Sequence, residues 1–244
     1  MSKTITITSE DILRNVKLCR QMPENIEQIV TSKVIENAAA EAGIKVETEE
    51  LQMLADEFRL INKLQNTNDT WAWLEKYSLS LDDFEKIVYN DLLSSKLADH
   101  LFGDKIEPYF FEHQLDYMGA VIHEVVLDDE DLVQELFYAI KEGEMSFYDV
   151  AHKYIQDTEL RRKGGYQGIV QRKELKPEIS SAVFAAKPPQ VIKPIVTSKG
   201  VHLILVEEII KPQLDKKLHQ KIILELFFGW LKEQISEVEV VKQL

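Results

Sequence analysis

Glycine and proline interrupt regular backbone more strongly than any other residues, and here they are spread unevenly. Only Gly43 and Gly103 of the nine glycines fall in the first 117 positions, and six of the seven prolines follow residue 100. A stretch with so few breakers is free to run as long helices. The middle stretch must turn often. This asymmetry divides the 244 residues into an N-terminal part (1–117), a middle part (118–210) and a C-terminal segment (211–244).

The first part has helical periodicity throughout. Ile12, Leu13, Val16 and Cys19 share a face, which places Cys19 in the core of a first helix. Pro23 opens a second helix that Gly43 closes. Thr48, Thr70 and Ser80 stand where N-caps belong, and a last helix is expected over 105–117. Trp71 and Trp73 read as hydrophobic core or groove residues. The middle part changes period. Strands are expected at 120–127, 169–171, 191–195 and 201–207, and helices at 129–142, 147–154 and 177–184. That order fits a compact α+β domain. The segment 214–235 is apolar over a broad face, including Phe227, Phe228, Trp230 and Leu231, and it needs a partner. The N-terminal helices are the nearest candidate, which makes the middle part an insert in a discontinuous helical domain.

Charge excludes several functions. The formal net charge is −13, of which −10 lies in 1–117, −4 in 118–210 and +1 in 211–244. Such a balance opposes binding to nucleic acid or to an anionic membrane. One cysteine cannot build a disulfide framework or a thiolate metal cluster within one chain. No apolar run approaches the ~18 residues of a membrane span. The polar N-terminus lacks an apolar signal core, and a cytoplasmic location is expected.

Two histidines stand inside apolar strands, His123 between Ile122 and Glu124, and His202 between Val201 and Leu203. Asp157 opens a glycine-rich loop. If the first and last strands are neighbours, the two imidazoles meet and a carboxylate lies nearby. Each histidine also has a plain reading as a hydrogen-bonded core residue. His100, His113, His152 and His219 show no metal-ligand spacing, and no serine-hydrolase elbow is present. No metal and no cofactor are expected.

Six short segments, taken in order, resemble one family. His123 opens a strand similar to the "HILV" segment of parvulin-type (PpiC-like) peptidyl-prolyl isomerases. Gly143-Glu-Met-Ser-Phe147 with Val150-Ala151, Tyr154-Ile-Gln-Asp157, Gly164-Gly-Tyr-Gln-Gly168, Leu175 through Phe184, and Pro194-Ile-Val-Thr197 with Gly200-Val-His202 resemble the segments that follow. The whole chain is similar to SurA-type chaperones, in which a helical domain built from both chain ends carries a parvulin insert. The resemblance implies a four-stranded antiparallel sheet with surrounding helices. It also implies a catalytic group of His123, Asp157, Thr197 and His202, and a prolyl pocket lined by Gln167, Leu175 and Ile179. Phe184 matches a core position.

The implied reaction needs no nucleophile. An X–Pro bond isomerises over ~18–20 kcal/mol, and a site that favours the twisted amide lowers that barrier by differential binding. Ile179 stands in place of the family's aromatic and Gln167 in place of its leucine, so weakened turnover is expected. Lost ring packing costs about 1 kcal/mol. Four carboxylates in Leu127-Asp-Asp-Glu-Asp131 oppose phosphate recognition. The basic run Arg161-Arg162-Lys163 is either a solvated turn or a surface that favours acidic residues near the substrate proline.

The expectation is therefore an isomerase and chaperone for unfolded or precursor polypeptides containing X–Pro bonds. It does not bind nucleic acid, does not insert in a membrane, and is a monomer or a helix-exchanged dimer. The alternative is a non-catalytic parvulin-fold chaperone or adaptor that holds peptide.

Overall fold

The computed structural model describes residues 4–243. The chain separates into two compact units. One takes the chain up to Ile106 together with the stretch from Lys216 onward, and the other is Glu107–Asp215. These limits differ from the sequence-based 117/118 and 210/211 by five to eleven residues.

In chain order the helical unit begins with α1 (Ser9–Leu18), α2 (Met22–Glu41), α3 (Thr48–Ile61), α4 (Thr67–Tyr77) and α5 (Leu81–Phe102). A short helix, α6 (Ile106–Glu112), leads to β1 (Gly119–Leu127), α7 (Glu130–Glu142), α8 (Phe147–Tyr154) and α9 (Thr158–Arg162). Then follow β2 (Tyr166–Gln171), α10 (Pro177–Ala185), β3 (Gln190–Val191), β4 (Ile195–Thr197) and β5 (Gly200–Ile210). The last helix, α11 (Lys216–Ser236), belongs to the helical unit.

Local chemistry sets the helix starts. Thr8, Ser80 and Ser146 each accept from the backbone of an aspartate three residues on, and that aspartate bonds back to the cap. These reciprocal bonds satisfy donors that a helix start leaves unpaired. They also hold the carboxyls of Asp11, Asp83 and Asp149 below the ordinary aspartate range. Asp129 caps α7, with Glu130 and Asp131 in its first turn. Most of the acidic run at 128–131 thus lies where a helix dipole favours negative charge.

The centre of the helical unit is α5, which buries Val88, Leu93, Leu97 and Ala98 and contacts α2, α3 and α11. On α11 the buried residues are Ile222, Ile223, Phe227 and Leu231. Each fully buried side chain of this size contributes ~1.5–3 kcal/mol over its exposed state. Phe58, Trp73 and Phe84 meet edge to face. Trp71, in contrast, is exposed. Cys19 is not a core residue as its spacing suggested. It is exposed because α1 buries none of its residues, so its apolar stripe finds no cover within the described unit.

Among the described residues the second unit holds a five-stranded antiparallel sheet, not a four-stranded one. Its order is β2-β1-β5-β3, and β4 also pairs with β5. The stretch expected as one strand at 191–195 breaks into β3 and β4 around Pro194, whose ring removes a ladder donor. One face of β1 and β5 packs Val125, Val201 and Leu203 against α7 and α8. The other packs Ile122, Ile204 and Val206 against Ile179 and Val183 of α10.

Candidate functional site

Strand register decides what can meet. His123 lies opposite Leu205, and His202 opposite Val126. Successive side chains of a strand point to opposite faces, so His123 projects on the face of Val125 and Leu203, and His202 on the face of Ile122 and Ile204. The expectation that the two imidazoles meet is therefore corrected. They belong to opposite faces of the sheet.

Glu124 occupies the place beside His202. Its Oε1 lies 2.7 Å from His202 Nδ1, while His202 Nε2 lies 2.8 Å from Thr197 Oγ1. That oxygen also accepts the Lys199 backbone N–H at 3.0 Å. The His202 side chain is 6 % exposed and that of Glu124 is 21 % exposed. Register positions all three, because β4 folds back on β5 with Thr197 opposite Gly200. The sequence reading missed Glu124. The available signal was the alternation Ile122, Glu124, Val126 on the face of His202, which becomes readable only once the register is known.

His123 makes a different set of contacts. Its Nδ1 faces the Gly164 carbonyl at 3.0 Å and its Nε2 faces Glu207 at 3.1 Å. Phe147, Tyr148 and Tyr166 surround the ring at centroid distances of 5.2–6.2 Å. Both partners are acceptors, so either can take a hydrogen bond from whichever ring nitrogen carries a proton. The next residue of the same turn, Gly165, accepts from the Glu124 backbone N–H at 2.9 Å. A Cβ on Gly165 would stand 2.7 Å from the Glu124 carbonyl oxygen, at φ +78, so the close approach and the left-handed backbone both require glycine. The glycine pair thus clamps β1 at the two residues that diverge to opposite faces.

A cleft of about 420 Å³ opens beside β1, lined by Glu124, Val126, Asp128, Gln156, Gln167 and Lys199 among others. Of the expected pocket residues, Gln167 lines this cleft and is exposed. Leu175 is partly buried against the core under α10. Ile179, expected as a pocket wall, lies in the hydrophobic core. It is 5 % exposed and packs with Ala120, Ile122 and Val183, because an aliphatic side chain at that point of α10 turns into the core. Phe184 is partly buried on the same core. Asp157 accepts from Leu160 N at 2.7 Å as the N-cap of α9, a role that ties its carboxylate to the backbone. Arg162 is exposed, 3.5 Å from Glu159. Among the described residues no group of three or more His, Cys, Asp or Glu side chains is arranged to hold a metal ion, and no helix is long and apolar enough to cross a membrane.

Comparison with known proteins agrees with this fold. Residues 128–208 match the family model "Rotamase: PPIC-type PPIASE domain", a span that starts just after β1. The foldase protein PrsA of Clostridium perfringens is 24 % identical over 203 residues, covering 77 % of this chain and 59 % of the relative. The chaperone SurA of Alkalilimnicola ehrlichii is 29 % identical over 127 residues, covering 47 % of this chain and 29 % of the relative. The chain thus spans about six-tenths of the length of the PrsA relative. The crystal structure of a peptidylprolyl isomerase (PrsA) from Bacillus anthracis superposes with a TM-score of 0.50 at 16 % identity, covering 89 % of this chain and 99 % of that one. These relatives correct the expected cytoplasmic location, since PrsA and SurA are extracytoplasmic. The expectation rests on the polar character of the N-terminal residues, which does not fix the compartment in which the folded domains work. Residues 128–208 thus match the PPIC-type peptidyl-prolyl isomerase domain, and the chain as a whole has the fold of the PrsA structure, with a helical part beside that domain.

Proposed function

We propose that the chain is a peptidyl-prolyl cis–trans isomerase and chaperone acting on unfolded or precursor polypeptides that contain X–Pro bonds. The observation that carries this reading is the PPIC-type match over 128–208, within which His202 and Thr197 are hydrogen-bonded to one another beside a cleft. The relatives named foldase and chaperone support the choice of client. In this reading His202 and Thr197 supply a pre-oriented polar environment for the twisted amide. Gln167 and Leu175 contact the substrate, Ile179 supports the pocket from the core, and Asp157 acts by fixing the start of α9.

A second reading, a non-catalytic peptide holder, is favoured by two observations. Gln167 puts an amide in the cleft wall, and Ile179 offers no ring surface to a proline. A proline-peptide isomerisation assay paired with a peptide-binding measurement separates them. A rate above the uncatalysed one is expected, and binding without any rate enhancement would establish the holder. The helical part is proposed to be monomeric or to exchange a helix between two copies, because α1 leaves Ile12, Leu13 and Leu18 exposed. A sizing column reads this directly.

A further inference from the structure

We infer that Glu124 is the positioning residue of the site, fixing both the orientation and the tautomer of His202. The inference rests on the cleft proposed above, but its first test does not need activity.

Hydrogen-bond polarity runs one way from end to end of this chain of contacts. A carboxylate only accepts. With Glu124 Oε1 at 2.7 Å, His202 Nδ1 must carry the proton and donate it. In the neutral ring Nε2 is then an acceptor, and the group facing it is the Thr197 hydroxyl at 2.8 Å. The hydroxyl donates to that nitrogen and accepts from the Lys199 N–H at 3.0 Å. Every donor finds an acceptor, and the direction is single: Lys199 N–H to Thr197, Thr197 O–H to His202, His202 N–H to Glu124. The hydrogen bond at one ring nitrogen sets the state of the other. A second imidazole at position 124 could donate or accept and would leave the direction open. The carboxylate removes that freedom. Burial makes the choice matter, since the His202 side chain is 6 % exposed and an unpaired ring nitrogen there has little access to water. Glu124 is also the member of the trio that lines the cleft, so it places the anionic end of the chain where substrate enters. His123, one residue away, cannot substitute, because its ring is held on the opposite face by Gly164 and Glu207.

The test uses the full chain with nitrogen-15-labelled histidine and long-range proton–nitrogen correlation spectra. The six histidines are assigned with a His202→Asn control. His202 is expected in the Nδ1–H form in the wild type. Glu124→Gln keeps an acceptor and retains that form. Glu124→Leu removes the acceptor while keeping the volume, and it shifts His202 to the Nε2–H form or a mixture. In the isomerase assay Glu124→Leu is expected to lower kcat about tenfold with KM changed less than about twofold, and Glu124→Gln to restore most of the rate. If Glu124→Leu leaves His202 entirely in the Nδ1–H form, the inference is overturned. It is also overturned if the wild type shows the Nε2–H form, a result that needs no folded variant. An inactive wild type with the expected tautomers would remove the isomerase reading and leave the positioning role standing.

Discussion

The two faces of the β-sheet treat their histidines differently. On one face His123 is enclosed by Phe147, Tyr148 and Tyr166 and tied to the Gly164 carbonyl and Glu207. On the other His202 joins Thr197 and Glu124 at the edge of a cleft. Both residues are 5 % exposed, so burial alone does not distinguish them. The partners do. His123 bonds a turn carbonyl and fastens a glycine loop to the sheet. His202 bonds a hydroxyl and a carboxylate, groups whose charge distribution bears on the cleft.

Substituting each histidine breaks this comparison most severely. His202→Ala is expected to lower kcat/KM by about tenfold or more, because the loss falls on pre-oriented polar groups at the site. His123→Ala is expected to spare the rate per folded molecule. It should destabilise the sheet unit by about 2–4 kcal/mol through the cavity it leaves and the bonds it removes. Isomerase kinetics and urea unfolding, run side by side on both variants, check the pair. Equal effects on the rate would erase the distinction between the faces.

Asp157→Ala sharpens the same boundary with a smaller effect. As the cap of α9 it should lose about 1 kcal/mol of stability and less than about twofold in rate, whereas a direct catalytic carboxylate would cost about a hundredfold. The smallest effect tests whether the two units respond alike. Ser80→Ala in α5 and Ser146→Ala in α8 remove matching caps, and each should lower the melting temperature of its own unit by about 2–4 °C near neutral pH. The partner aspartates, Asp83 and Asp149, are held below their ordinary value of 3.8 by these bonds. The stabilisation is therefore present above that value and is lost as pH falls through the lower folded-state value. Thermal scans from neutral to strongly acid pH should show each variant converging on the wild type at the acid end.

Much of the fold was legible because its signals are local. Ser80, Asp129, Gly143 and Ser146 mark helix ends through bonds to their near neighbours, and the structure places helix limits within a residue of where those signals fall. The closing motif Thr197 to His202 was legible for the same reason, since both residues lie on one turn and its strands. The other half of the site was not. In β1 nearly every position from Gly119 to Val125 is buried or half-buried, so apolar residues point both ways and the alternation that would fix its phase is missing. A motif match that begins at His123 and a structure that presents Glu124 differ by one residue, and one residue reverses the face.

The amino-acid sequence by itself determined most of the helices, the caps at Ser80 and Ser146, and the order of a helical part followed by an α+β part, since these follow from spacing along the chain. The caps expected at Thr48 and Thr70 fall instead on Glu47 and Asn66. The tertiary structure alone decided that α11 packs on α2 and α5, that Ile179 is core, and that Glu124 rather than His123 reaches His202. Those outcomes depend on register and on which faces meet. Both are set by pairing between segments far apart in the chain, Glu124 and His202 being 78 residues apart.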